Sequence, residues 1–236
     1  MYPVAAQVQD RGQIDQEAIM LKVRSLALAA ALVVAGAGAQ AATISWNQWA
    51  SNSGGSIADP GGAITVTLSG ETGSGFYTAY PSWTPAGTYA DGAVVANAPT
   101  GGIVRLTGGN TNVNTLTFSR PVVDPVMSIW SLGQGGVNAQ FAFIGATPVL
   151  VAGGPSAEYG GSSITVSGNT VFGSEGNGTV QFHGTYTSLS WTNPVYEYWY
   201  GMNVGIAGAV PEPETCALML GGLAAIGAAA RRRQKR

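Results

Sequence analysis

The chain has 236 residues, of which 45% are hydrophobic and only 9% charged, with 35 glycines. A soluble domain ordinarily carries about 25% charged residues, and the scattered cations here are too few to displace counterions from a phosphate backbone, which excludes nucleic-acid binding and charge-driven disorder together. Charge is also unevenly placed: between Ala42 and Ala209 two arginines, Arg105 and Arg120, stand against seven acids and no lysine, a net charge of −5.

Residues 1–19 are polar and unlike the start of an export signal, and read as an upstream extension ahead of a true start at Met20. From there Lys22 and Arg24 precede an apolar run from Leu26 to Ala37, and Ala39 and Ala41 flank Gln40. Basic start, apolar core and A-x-A site make residues 20–41 a secretory signal peptide, cut to leave Ala42 as the mature N-terminus. A retained membrane helix is the weaker reading, because the apolar run falls short of the roughly 20 residues a span needs. The implied partners are the secretion translocon and signal peptidase.

Residues 42–209 form one exported domain. Apolar and polar residues alternate with the two-residue period of half-buried strands at Ile64–Leu68, Val113–Phe118, Met127–Leu132, Gln140–Ile144, Ile164–Ser167, Val180–His183, Leu189–Thr192 and Tyr196–Ile206. Turn signals separate them: Asp59-Pro60-Gly61-Gly62, Asp91-Gly92, Gly108-Gly109-Asn110, Gly153-Gly154-Pro155 and Glu175-Gly176-Asn177-Gly178. Many short strands and no helical stripe predict an all-β fold, a β-sandwich or jelly roll. Asp59–Gly102, richer in Gly, Pro and aromatics, reads as an elaborated loop region of that domain.

A search for chemistry returns mostly absences. His183 is the sole histidine, so no multi-histidine metal site and no His-Glu-x-x-His motif exists. There is no phosphate-binding Gly-rich loop with its lysine and no Gly-x-Ser-x-Gly elbow. His183 lies in an alternating stretch and reads as a strand histidine. Asp59 and Asp91 sit in turns, where carboxylates bond local backbone. No Asp-x-Asp-x-Asp-Gly loop supports a calcium site. No catalytic residue, metal or cofactor is therefore assigned. Aromatics are the suggestive feature: Tyr196, Tyr198 and Tyr200 share one strand parity, so a strand here presents three tyrosine rings on one face, a platform on which sugar rings stack.

Residues 210–236 differ from everything before them. Pro211, Glu212 and Pro213 precede an uncharged run from Thr215 to Ala230, and Arg231, Arg232, Arg233, Lys235 and Arg236 close the chain. The run reads as a short transmembrane helix, with the basic cluster held on the cytoplasmic side. At 1.5 Å per residue it reaches about 24 Å, a marginal span suited to a transient anchor. Cys216 is the only cysteine, so no intrachain disulfide forms, and it reads as a small buried hydrophobe.

The order of Val-Pro-Glu-Pro, Thr, Ala-Leu-Met-Leu-Gly-Gly-Leu and a terminal arginine block over Val210–Arg236 resembles the PEP-CTERM sorting signal of Gram-negative bacteria. The stretches Leu116–Val122, Pro125–Gly133, Gly178–Gly184 and Trp199–Gly201 are similar to the bodies of some proteins that bear this signal. The resemblance implies an exosortase that recognises the tail, a precursor held transiently in the inner membrane, and a mature protein at the cell surface or outside the cell, in a bacterium making exopolysaccharide and biofilm. The reading that follows is an exported, non-catalytic surface or matrix protein associated with exopolysaccharide. A carbohydrate-binding module is the first alternative, a secreted hydrolase the second.

Overall fold

A computed structural model of the chain describes residues 41–72, 75–77, 83–208, 219–224 and 226. Sixteen strands run in chain order: β1 Ile44–Trp46, β2 Gln48–Ser51, β3 Gly54–Ile57, β4 Ile64–Ser69, β5 Phe76–Tyr77, β6 Ile103–Leu106, β7 Val113–Val123, β8 Val126–Leu132, β9 Ala139–Ile144, β10 Pro148–Gly153, β11 Ser162–Ser163, β12 Thr165–Ser167, β13 Thr170–Gly173, β14 Gly176–Phe182, β15 Thr185–Thr192 and β16 Tyr200–Ala207. They form two sheets. One has the order β10-β14-β8-β16-β6-β5, with β1 beside β16 and β11 beside β14; the other has the order β12-β13-β9-β15-β7-β4-β3-β2. Every pairing is antiparallel except the two-residue β11–β14 contact. Ala41–Val210 is one compact unit.

The main core lies between the sheets. Phe118, Phe141, Phe143 and Trp191 from the second sheet join Met127, Ile129, Phe182 and Met202 from the first. Rings interlock across the gap: Phe143 meets Phe182 edge-on at 4.7 Å and Phe141 meets Tyr200 at 5.5 Å. Such pairs contribute about 0.5–1.5 kcal/mol each beyond the area they bury. This is the predicted all-β sandwich.

The two sheets differ in their outer faces. β4 alternates buried and exposed residues throughout, as a sheet wetted on one side does. β8 is buried at all seven positions and β16 at all but Ala207. A second layer explains this, since residues 83–98 strap the first sheet's outer face with Trp83, Tyr89 and Val95, against Ile103, Val126 and Trp130. The strap is pinned by Asp91, whose Oδ1 accepts the N–H groups of Ala93, Val94 and Val95 at 3.1, 2.8 and 2.8 Å. Asn97 fixes its far end, accepting the Ile44 N–H at 2.7 Å and donating to the Ile44 carbonyl at 3.0 Å. Close approach needs missing side chains on β16: a Cβ on Gly205 would lie 2.4 Å from Ile44 Cγ2 and 2.8 Å from Trp46 Cε3.

Several expectations need correction. Residues 196–199 are irregular and β16 begins only at Tyr200, because the chain there pairs its backbone with a neighbouring loop rather than with a strand. Glu175–Gly178 is not a turn: β14 starts at Gly176, and its glycines serve close packing, a Cβ on Gly178 falling 2.3 Å from the Ala152 carbonyl oxygen. His183 lies one residue beyond β14 and is exposed.

Candidate functional site

The first sheet ends, at one side, where Leu106 opposes Tyr200, Trp130 opposes Gly201 and Leu132 opposes Gly176. The loops leaving these strands converge there and are tied by a buried polar network. Asn193 takes hydrogen bonds from Asn114 Nδ2 and Trp191 Nε1, both at 2.8 Å, and gives one to the Gln140 carbonyl at 2.8 Å. The Glu71 N–H donates to Asn114 Oδ1 at 2.7 Å. The Glu71 carboxylate accepts the Thr107 hydroxyl at 2.6 Å, the Thr107 N–H and the Gly108 N–H at 3.0 Å.

This network carries the segment 193–199 against residues 107–109. Gly109 donates to the Asn193 carbonyl and Glu197 to the Thr107 carbonyl, each at 2.9 Å. Gly108 sits at φ +66°, and a Cβ there would come within 2.6 Å of the Val195 oxygen and 2.8 Å of Tyr200 Oη. No other residue fits.

The tyrosine row of the sequence is thereby broken. Tyr200 is fully buried in the core, whereas Tyr196 and Tyr198 are 65% and 69% exposed on the irregular segment before it. Tyr200 turns inward because Phe141 and the inter-sheet core need a large ring at the strand's first position, and burial raises its hydroxyl pKa. A different aromatic group assembles instead. Trp130 packs on Trp199 at 4.6 Å and on the half-exposed Tyr159 at 5.3 Å. Arg105 lays its guanidinium over Tyr198 at 5.6 Å and over Trp199 at 5.1 Å, distances of cation–π attraction. Sequence reading found the tyrosines but missed Arg105 and Tyr159, which lie far off in the chain; the signal available was that Arg105 is one of only two cations in an acidic body.

Acids at this end are occupied by the protein itself. Glu197 is buried, and that burial raises its carboxyl pKa to about 8; the Gly133 N–H, donating to Oε2 at 2.6 Å, opposes the shift and the Glu175 carboxylate adds to it. Glu175 accepts the Ser131 hydroxyl. No group of three metal-ligating side chains occurs among the described residues.

The other predicted residues are placed as follows. Arg120 is paired with Asp59 and donates to the Gly62 carbonyl at 3.0 Å, beside a hollow of about 320 Å³ bordered by Ile64, Val122 and Ile206 at the opposite end of β16. The Arg120 guanidinium and the Gly61 N–H hold the Asp59 carboxyl below its usual range. His183 Nδ1 stands 3.9 Å from Asp124 Oδ1, an oxygen that also accepts the Gly184 N–H at 2.6 Å and so secures a turn. Ala42 bridges to Val95 at the start of the described body, while Ala39 lies outside the described residues.

Pro211, Glu212, Pro213, Arg231, Arg232, Arg233, Lys235 and Arg236 also lie outside the described residues. Within the tail residues 219–224 and 226 are helical, with Met219, Leu220, Leu223 and Ile226 exposed. Among the described residues no helix is long and apolar enough to cross a membrane, so the expected transmembrane helix is not seen; the described stretch is short and carries Gly221 and Gly222, weak helix formers.

Comparison with known proteins supplies one finding. Residues 209–233 match the family model of the PEP-CTERM protein-sorting motif. Nothing among curated proteins or solved structures matches the chain. The motif implies an exported protein that an exosortase sorts, with a membrane-anchored precursor.

Proposed function

We propose that this is a non-catalytic protein of the cell surface or extracellular matrix, cut at its tail by an exosortase and associated in the biofilm with exopolysaccharide. The observation that carries the reading is the three-part tail, Pro-Glu-Pro, apolar run and basic end, matched over 209–233. Its physical logic is that of a transient anchor: the basic end stays on the cytoplasmic side, the body has crossed, and cleavage near 211–213 severs the two. The body supplies a folded cargo with an acidic surface, and two exposed tyrosines offer it contact with sugar rings.

A carbohydrate-binding module is the same reading made more specific, and the exposure of Tyr196 and Tyr198 favours it. The hydrolase alternative has less behind it. A glycosidase needs two free carboxyls across a sugar, whereas Glu71 is spent on Thr107 and Gly108 and Glu197 is buried on Gly133.

The test is cell fractionation of a variant in which Pro211, Glu212 and Pro213 are all replaced by alanine. The expected result is accumulation of full-length precursor in the membrane fraction and loss of at least tenfold of the protein from the medium. Unchanged release would refute sorting through this tail.

A further inference from the structure

We infer that Arg105 is the anion-recognising group of a ligand site walled by Tyr198 and Trp199, and that its ligand is an acidic sugar, a uronate whose carboxylate pairs with the guanidinium while its ring lies on the exposed tyrosine. The inference rests on the glycan-binding reading above and adds to it the charge of the glycan.

Three observations converge on Arg105. It is a cation without an acid: among the described residues the ion pairs are those of Arg120 with Asp59 and His183 with Asp124. Its Nε is buried with no hydrogen-bond partner. Finally, its contacts are with the faces of rings, Tyr198 and Trp199.

That last point selects the ligand. Aromatic faces stabilise a guanidinium through its charge and flat surface but accept no N–H hydrogen bond in its plane. With Nε buried, the terminal Nη edge is left for a partner, and its pair of N–H donors matches a carboxylate in bidentate geometry. Tyr198, 69% exposed, gives a sugar ring a surface to lie on immediately beside that edge.

The acidic body argues against this only at long range. A net charge of −5 over the domain is screened beyond about 8 Å at physiological ionic strength. Of the acids at this end, Glu71 is engaged by Thr107 and Gly108, Glu175 by Ser131, and Glu197 is buried with its carboxyl pKa raised.

The test is calorimetric titration of the purified exported protein with three probes: trigalacturonate, its neutral methyl ester and a neutral gluco-oligosaccharide. Trigalacturonate is expected to bind at least tenfold more tightly than its ester, Arg105→Gln to abolish that preference, and Arg105→Lys to restore part of it. Tyr198→Ala is expected to weaken acid and ester alike; Tyr198 is so exposed that its loss leaves the fold intact, which circular dichroism checks. Equal binding of acid and ester, unaffected by Arg105→Gln, would overturn the anion site and leave glycan binding standing. Failure of all three probes to bind would overturn both.

Discussion

Glu197 shows how a single residue ties the stability of the sandwich to pH. Its carboxyl has an ordinary value of 4.5 when solvated and about 8 in the fold, because burial disfavours the charged form. Between those values the folded chain holds a proton that the unfolded chain has released, so this group makes stability fall as pH rises from about 4.5 to about 8, and the slope vanishes above that. Asp91 acts oppositely: burial raises its carboxyl pKa, but the N–H groups of Val95, Val94 and Ala93 together outweigh that and lower it, and its contribution is lost only as pH falls below the ordinary 3.8. Thermal melts from pH 5 to 9 should show a declining Tm, and Glu197→Gln should flatten that decline and raise Tm at pH 9, since the amide oxygen still accepts the Gly133 N–H. A Tm that rises over this range, or a Gln variant with an unchanged slope, contradicts the assignment. Residue roles were unequally legible. Asp59 and Asp91 were readable as turn carboxylates because each accepts backbone N–H groups within four residues, although the ion pair of Asp59 with Arg120 spans 61 positions. Glu71, Glu197 and Arg105 were not, because their partners lie 36–94 positions away by number, at Thr107, Gly133 and Tyr198 with Trp199.

At the scale of elements, legibility followed wetting. β4 and β7 alternate because one face meets water, and their pattern stands in the sequence. β8 and β16 are covered on both faces, so their burial has no two-residue period, and the small residues of β16 obscure its start. β1 to β3 were missed because they are short, and Gly54 and Gly55 remove the side chains that would mark a strand. The strap of residues 83–98 is the structural cause, and it leads to a direct prediction. Gly205→Ala would drive a methyl group into Ile44 and Trp46, both buried beneath the strap. The expected cost is about 1–3 kcal/mol, as for other overpacked cores, read as a lower denaturant midpoint with an unchanged slope. A neutral outcome would mean that the second layer is loosely seated on the sheet.

For the whole molecule, the distribution of charge carries the argument. Eight of the ten cations lie outside the body, and seven of them flank the two apolar runs, namely Lys22 and Arg24 before the first and Arg231, Arg232, Arg233, Lys235 and Arg236 after the second. The tail was legible because membrane orientation reads a short linear pattern of charge and hydropathy, with no tertiary structure needed. The aromatic group around Arg105 was not, since it depends on which loops a sandwich brings to one end. The compact unit begins at Ala41, one residue before the expected mature N-terminus, and ends at Val210, one residue before Pro211. A protein cut at both addresses would therefore keep the fold whole. Intact-mass spectrometry of the protein recovered from the medium tests this most directly. The account predicts a species that begins at Ala42 and ends near residues 211–213; an extracellular species still carrying residues 218–236 would contradict it.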